Sequence, residues 1–211
     1  MTTSRRIPEV RPSRLGEGME REIIEAATAL FYERGYHGTS MRDIATRVSR
    51  TPGNLYNHVS SKHELLRLIA LGSIEELLAG GKEVLASSDT AEARLLMFVR
   101  FHVTYHTIHR RRAKVGDDQL HALDETARAE VLAVRDAYED VLRQIIRQGM
   151  NEDHWPVADA SVVAFALATM CTAVGLWFRE GARLSAEQVA EIYAGLTMGA
   201  VKFGGLAAAA G

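Results

Sequence analysis

Apolar positions along this chain recur at helical spacing, and no stretch alternates with the two-residue period of a strand, so the pattern predicts an all-α fold of about nine helices. A helix from Glu17 to Arg34 carries Ile23, Ala27, Leu30 and Phe31 on one stripe, and Gly35 closes it. Another, from Ser61 to about Ala79, carries Leu65, Leu66, Ile69, Ile74, Leu77 and Leu78, and Gly80-Gly81 weakens it. The spacing predicts further helices over about Thr90 to Arg110 and Asp124 to Met150, with a short irregular one around Asp117 to Leu123. Val131, Val134, Tyr138, Val141, Leu142 and Ile145 face inward on the long helix, and Arg110-Arg111-Arg112 suits the negative end of the helix before it. Ala160 to Phe178 is uncharged and reads as a helix buried on most sides, with a membrane span as the alternative. The last helix opens at Ser185 with Gln188 as a capping box and carries Val189, Ile192, Tyr193, Leu196 and Ala200.

The densest local signals lie between Thr39 and Leu66. Met41, Ile44, Ala45 and Val48 fall at i, i+3, i+4 and i+7, and Thr39 or Ser40 caps that helix. A turn at Ser49-Arg50 follows. Thr51 then caps a second helix of barely two turns, with Pro52 at its first position. Leu55 and Val59 point inward, which leaves Thr51, Gly53, Asn54, Asn57 and His58 outside. Ser61 and Glu64 form a capping box for the next helix. The outward face is small and amide-bearing. Asn can read an adenine edge with two hydrogen bonds, and Gly lets a backbone approach DNA closely. This is the geometry of a helix-turn-helix, whose second helix lies in the major groove.

The chain has 211 residues and 47% apolar residues, enough for one large domain or two small ones, and its net charge of −2 excludes a globally basic nucleic-acid binder. Charge is nonetheless local. From Tyr36 to Lys62, the four cations Arg42, Arg47, Arg50 and Lys62 stand against the single acid Asp43. Residues 1–16, with Arg5, Arg6, Arg11 and Arg14 and the prolines Pro8 and Pro12, read as a flexible basic arm, and Leu206 to Gly211 as an untethered tail. Cys171 is the sole cysteine, which fits a reducing cytoplasm, and the N-terminus lacks the apolar core of a signal peptide.

Gly38-Thr39-Ser40-Met41-Arg42-Asp43-Ile44-Ala45, Thr51-Pro52-Gly53-Asn54-Leu55-Tyr56-Asn57-His58 and Ser61-Lys62 resemble the TetR family of transcriptional regulators, strongly over residues 17–80. Ser49 stands where that family commonly has Gly, Arg50 where it has an apolar residue, and Val59 where it has Phe. The resemblance implies a helix-turn-helix DNA-binding domain over 17–62 and a ligand-binding and dimerisation domain over 63–211. On this reading Pro52, Gly53 and Asn54 approach base edges. Thr39, Thr51, Tyr56, His58 and Lys62 hold phosphates, with Ser40, Arg42, Arg50 and Asn57 beside them; Arg50 is free to reach a phosphate instead of packing. The expected partners are a palindromic double-stranded operator, a second copy of the chain and a small hydrophobic ligand, with no cofactor and no membrane.

In the second domain Met97, Phe101, His102, Tyr105, Phe165, Met170 and Trp177 combine bulk with a few polar tips, the composition of a small-molecule cavity. Regulators of this family hold their ligand among the middle helices. The tract Trp177-Phe178-Arg179-Glu180-Gly181 is similar to members associated with acyl-CoA and lipid metabolism, and Arg110 to Arg112 with Lys114 could meet the phosphates of a CoA thioester. Small residues at Ala164, Ala168, Ala173 and Gly175 permit the last two helices to pair with their copies as a four-helix bundle. The competing reading is a metal-binding helical protein or hydrolase built on His102, His106 and His109, spaced i, i+4 and i+7. No fourth ligand at matching spacing completes it, and the chain has no nucleophile elbow, phosphate loop or His-Glu-x-x-His, so no catalytic residue is assigned and no enzymatic activity is expected.

Overall fold

The computed structural model describes Pro8, residues 18–87 and residues 90–203; the basic arm and the C-terminal tail expected from the sequence lie outside these. Among the described residues there are ten α-helices, one short 3-10 helix (Leu120–Ala122) and no strand. The helices are α1 (Met19–Arg34), α2 (Met41–Arg47), α3 (Pro52–Leu55), α4 (Lys62–Ala86), α5 (Ala91–Ile108), α6 (Arg110–Asp118), α7 (Glu125–Glu152), α8 (Ala160–Thr172), α9 (Val174–Trp177) and α10 (Ala186–Phe203). They form two compact units. A head unit comprises residues 18–76 and His109–Arg135, and a second unit comprises Leu77–Ile108 and residues 136–203.

The head is built on the apolar face of α1, where Ile23, Ala27, Leu30 and Phe31 are buried as the pattern predicts, joined by Ile24 and Ala26. Ile44 and Ala45 of α2, Leu55 of α3, Val59, and Leu65, Leu66 and Ile69 of α4 complete its core. Ser40, not Thr39, caps α2: its hydroxyl accepts from the Asp43 N–H at 3.2 Å, and the Ser40 N–H donates to the Asp43 carboxylate at 2.8 Å. Glu64 reaches back to the Ser60 N–H at 2.5 Å, one residue before the expected partner, while the Ser61 hydroxyl accepts from the Glu64 N–H at 3.0 Å.

Two hydrogen bonds stop α2: Ser49 N–H to the Thr46 carbonyl at 3.1 Å and Arg50 N–H to the Ala45 carbonyl at 2.9 Å. This crossed pair requires a left-handed residue between helix and turn, and Ser49 supplies it at φ 54°. A side chain at that φ is strained where Gly would not be.

Four expectations are corrected. First, α4 does not weaken at Gly80-Gly81 but runs through to Ala86. These glycines are seats for neighbouring rings: a Cβ at Gly80 would overlap Phe101, and one at Gly81 would lie 3.1 Å from the Tyr138 ring. Second, Gly149, which with Asn151-Glu152-Asp153 reads from the sequence as the stop of the long helix, lies inside α7 and takes the face of Trp155. Third, Arg110 to Arg112 begin α6 instead of ending α5, a dipole-opposed arrangement. Partners offset it: Arg112 pairs with Glu76, and Arg110 donates to the Tyr32 hydroxyl at 2.8 Å. Fourth, the uncharged stretch is interrupted at Ala173 and is not buried on most sides, because Val162, Phe165, Leu176 and Trp177 are exposed. The buried face of α10 is Val189, Ala190, Ala194, Thr197 and Val201, whereas Ile192 and Leu196 of its apolar stripe face out.

Replacing Ser49 by Gly removes the left-handed strain without deleting a contact. Ser49→Gly is therefore expected to raise stability by about 1 kcal/mol, read as a higher midpoint in urea unfolding with unchanged slope; an unchanged or lower midpoint would show that the turn carries no such strain.

Candidate nucleic-acid interface

Helix α3 is a single turn, and its outer surface is the sequence-predicted reading face. Thr51 caps it by accepting the Asn54 N–H at 3.3 Å, and Pro52 stands at the first helical position. Leu55 and Val59 are buried beneath, holding the turn to the head core. Thr51, Pro52, Gly53, Asn57 and His58 are exposed, Asn54 is half-buried, and the Tyr56 ring is 54% exposed. The carboxamide of Asn54 makes no hydrogen bond among the described residues, so its donor and acceptor are available to a base edge.

Gly53 is the informative residue. A Cβ built there meets nothing within 4 Å, and its φ is not in the left-handed region. The chain's own packing gives no reason for a glycine at this helical position, where Gly is disfavoured by about 1 kcal/mol against Ala. A surface that approaches from outside does give one.

The surrounding cations divide into two groups. Arg47 is paired with Glu33 at 2.8 Å, and Arg34 lies 3.8 Å from Asp43. Arg42 and Arg50 are exposed and have no carboxylate within ion-pair distance among the described residues. Ser40 is exposed but occupied by its cap.

Two phosphate assignments do not fit the geometry. Thr39 is 2% exposed, and its hydroxyl is aimed at the carbonyls of Leu30 (3.3 Å) and Gly35 (3.0 Å). The Lys62 ammonium donates to the carbonyls of Tyr36 and Thr39, both at 2.8 Å, and lies 4.2 Å from the centroid of the Tyr36 ring. Burial draws its pKa down from the ordinary lysine value.

In the second unit the seven residues expected to line a cavity are not gathered. Phe101, His102 and Tyr105 are buried along α5, and Met97 and Met170 are half-buried. Phe165 and Trp177 are on the surface at 65% and 50% exposure, because α8 and α9 turn those faces outward. An open groove of about 410 Å³ is bordered by other residues: Glu92, Asp153, His154, Trp155, Pro156 and Lys202, with Phe203.

What the structure adds is a buried polar chain centred on His102. Its Nδ1 lies 2.8 Å from the Tyr138 hydroxyl and its Nε2 lies 3.0 Å from the Thr172 hydroxyl. Tyr138 stacks 5.2 Å from Phe98, and His106 lies 4.5 Å from His102 between ring centroids. Burial, and secondly His106, drives the His102 pKa well below the ordinary histidine value, so its imidazole is neutral at pH 7. Burial pushes Tyr138 well above its ordinary value and the Cys171 thiol to about 12. Sequence reasoning missed Tyr138 and Thr172 as partners; the signal was that a buried Tyr hydroxyl requires a hydrogen bond.

Both His102 ring nitrogens are thus engaged, and His109 lies beyond the end of α5. No group of three or more His, Cys, Asp or Glu among the described residues could hold a metal ion. The basic run proposed for CoA phosphates is largely engaged as well: besides the Arg110 and Arg112 contacts, Lys114 pairs with Asp118 at 2.5 Å, while Arg111 is exposed.

Comparison with known proteins gives this face its context. A family model described as bacterial regulatory proteins, tetR family, matches residues 23–69, and one described as tetracyclin repressor-like, C-terminal domain, matches residues 88–201. The HTH-type transcriptional repressor KstR2 of Mycobacterium tuberculosis is 27% identical over 184 residues, covering 85% of this chain and 91% of the relative. A crystal structure of a regulatory protein in the tetR family from Rhodococcus RHA1 superposes with a TM-score of 0.81 at 28% identity, covering 86% of this chain and 95% of that one. AibR, solved in complex with isovaleryl coenzyme A and operator DNA, gives a TM-score of 0.72 at 28% identity over 83% of this chain and 96% of its own. With a one-turn helix displaying Gly53 and Asn54 beside two unpaired arginines, and with family matches on both sides of it, the chain belongs to the TetR family of transcriptional regulators.

Proposed function

We propose that this chain is a homodimeric transcriptional repressor. It binds a palindromic operator through α2 and α3 and is released by a small hydrophobic ligand of the acyl-CoA or lipid-related class. It acts in the cytoplasm, where its DNA is. The observation that carries the DNA reading is Gly53, exposed, next to an unbonded Asn54 carboxamide, and required by nothing in the chain itself. Asn54 and the backbone at Gly53 take the base edges, and Thr51, Tyr56, Asn57 and His58 fix the register on the sugar-phosphate backbone. The naming of KstR2 as a repressor supports the direction of regulation, and the acyl-CoA in the AibR complex supports the ligand class.

The partner copy is drawn from α8, α9 and α10. Val162, Phe165, Leu176, Trp177, Ile192 and Leu196 leave a large apolar area uncovered on the second unit. An exposed apolar face of that kind marks an interaction site. Two half-sites one helical turn or more apart require a second reading helix, which a twofold partner provides. The ligand then acts by preferring a state whose two heads do not match the operator, and shifts binding only by that preference.

Three outcomes are expected. Gly53→Ala should leave stability unchanged or raise it by up to about 1 kcal/mol, while weakening operator binding by about tenfold or more through steric contact at the DNA. Unaltered affinity in a fluorescence anisotropy titration would remove the argument from Gly53. Leu196→Glu, on the exposed face, should shift the protein to a monomer in sedimentation velocity and reduce operator affinity by about 10²-fold. A dimer that survives this change would place the interface elsewhere. A ligand that binds the folded chain at about a hundred times its Kd should add about 2.7 kcal/mol of stability. A thermal-shift series of acyl-CoAs of rising chain length, with free CoA as the control, reads this. No shift with any member would exclude the class.

A further inference from the structure

The sequence reading placed Lys62 among five residues that hold phosphates, with Thr39, Thr51, Tyr56 and His58. The structure leaves Lys62 little to give. Its ammonium sits between the Tyr36 and Thr39 carbonyls, both at 2.8 Å, with the Tyr36 ring against it at 4.2 Å. Those two carbonyls flank the loop that joins α1 to α2, so the contact ties the start of α4 to that loop. Tyr36 in turn meets Phe31 of α1 edge-on at 5.3 Å. Reaching out to a phosphate would trade two charge-assisted hydrogen bonds and a cation–π contact for one ion pair in water.

Arg50 is placed in the opposite way. It immediately precedes Thr51, the cap of the reading helix, and follows the left-handed Ser49. After a helix stop of this kind an apolar residue commonly folds back on the helix end. Here a guanidinium stands outward instead. Among the described residues its one hydrogen bond is a long one, 3.4 Å, to the neighbouring Ser49 carbonyl. No carboxylate among the described residues lies within ion-pair distance, whereas Arg47, three residues earlier, is held by Glu33. A guanidinium is well suited to a phosphate because its fork of N–H donors matches two oxygens.

We infer that Arg50 supplies a main phosphate anchor beside the reading helix in this chain, and that Lys62 is an internal clamp that positions the helix-turn-helix without neutralising a phosphate. This deepens, and rests on, the DNA-binding reading given above. It assigns the electrostatic part of binding to a residue at which the chain departs from the pattern of its family.

Phosphate contacts are independent of base sequence, so the test needs no known operator. The full-length protein is titrated into a labelled non-specific duplex of about 30 base pairs over a range of potassium chloride concentrations. Each phosphate neutralised adds about 0.9 to the slope of log K against log salt. Arg50→Gln is expected to flatten the slope by about one per head, about two for a dimer, with an unchanged melting temperature. Arg50→Lys should restore most of the slope. Lys62→Met should lower the melting temperature and leave the slope as in the parent protein.

A parent slope retained in Arg50→Gln overturns the inference, as does a Lys62→Met protein that melts normally but loses slope. If Lys62→Met does not fold, Arg50→Gln decides alone. A parent protein that binds no duplex would instead sink the DNA-binding reading itself, and so is told apart from a failure at Arg50.

Discussion

A helix of one turn has no stability of its own in water, because nucleation fixes several residues before the first hydrogen bonds return anything. Pro52–Leu55 is such a helix, and the readable face of the head depends on what holds it. Three things do. Leu55 and Val59 anchor it from below in the core, the Thr51 hydroxyl ties down its first turn, and the α2 stop fixes the direction from which the chain enters it. The third is under strain at Ser49, a cost the chain accepts at the position that aims the reading face. Lys62 belongs to the same support. By gripping the carbonyls of Tyr36 and Thr39 it fastens the helix after the reading face to the loop before α2.

The glycines show how the same residue type serves opposite ends. Gly80, Gly81 and Gly149 lie inside helices, where glycine weakens the backbone, yet each accommodates an aromatic ring that a Cβ would displace or crowd. Their reason is internal and visible in the structure. Gly116 is similar, lying close to the backbone of Ala70 within the head. Gly53 has the same intrinsic cost and no internal neighbour. Gly195 and Gly199 of α10 share that property, so the empty space beside Gly53 fits a partner surface only together with its place on the exposed side of α3.

Much of the head was legible because its signals are local. Thr51-Pro52 announced a helix start, and Leu55 and Val59 named its buried side before any tertiary contact was known. Capping chemistry and short-range periodicity act over a few residues, so a single sequence records them. Errors arose where the deciding partner is distant in sequence. The helix passes through Gly80-Gly81 because Phe101 and Tyr138 fill the space beside it, and Arg110 to Arg112 open a helix because Glu76 and Tyr32 receive them. Thr39 looked like a surface hydroxyl next to a DNA-binding motif, but the Leu30 and Gly35 carbonyls claim it. Two of the seven cavity candidates follow the same rule. Aromatic content marked Phe165 and Trp177 as interior, while the side of α8 and α9 on which they stand is decided by which face packs on α5 and α10.

The uncharged stretch beginning at Ala160 carries this argument furthest. By length and hydropathy it satisfies the requirement for a bilayer span, the core helix of a soluble domain, and a face awaiting a partner. Composition alone cannot separate these, because all three reward the same residues. The distribution of burial adds what composition lacks. Ala164, Leu167, Cys171 and Val174 are buried on one side, and Val162, Phe165, Leu176 and Trp177 are exposed on the other. A core helix would be covered on both sides. The stretch is also interrupted at Ala173, and α8 packs its buried side on α5. A two-sided helix with one face packed and one apolar face open is what a subunit interface requires, and α10 repeats the arrangement with Ile192 and Leu196 outward over a buried Val189, Ala190 and Ala194. In the homodimer proposed above, a second copy would cover this apolar excess of the last helices.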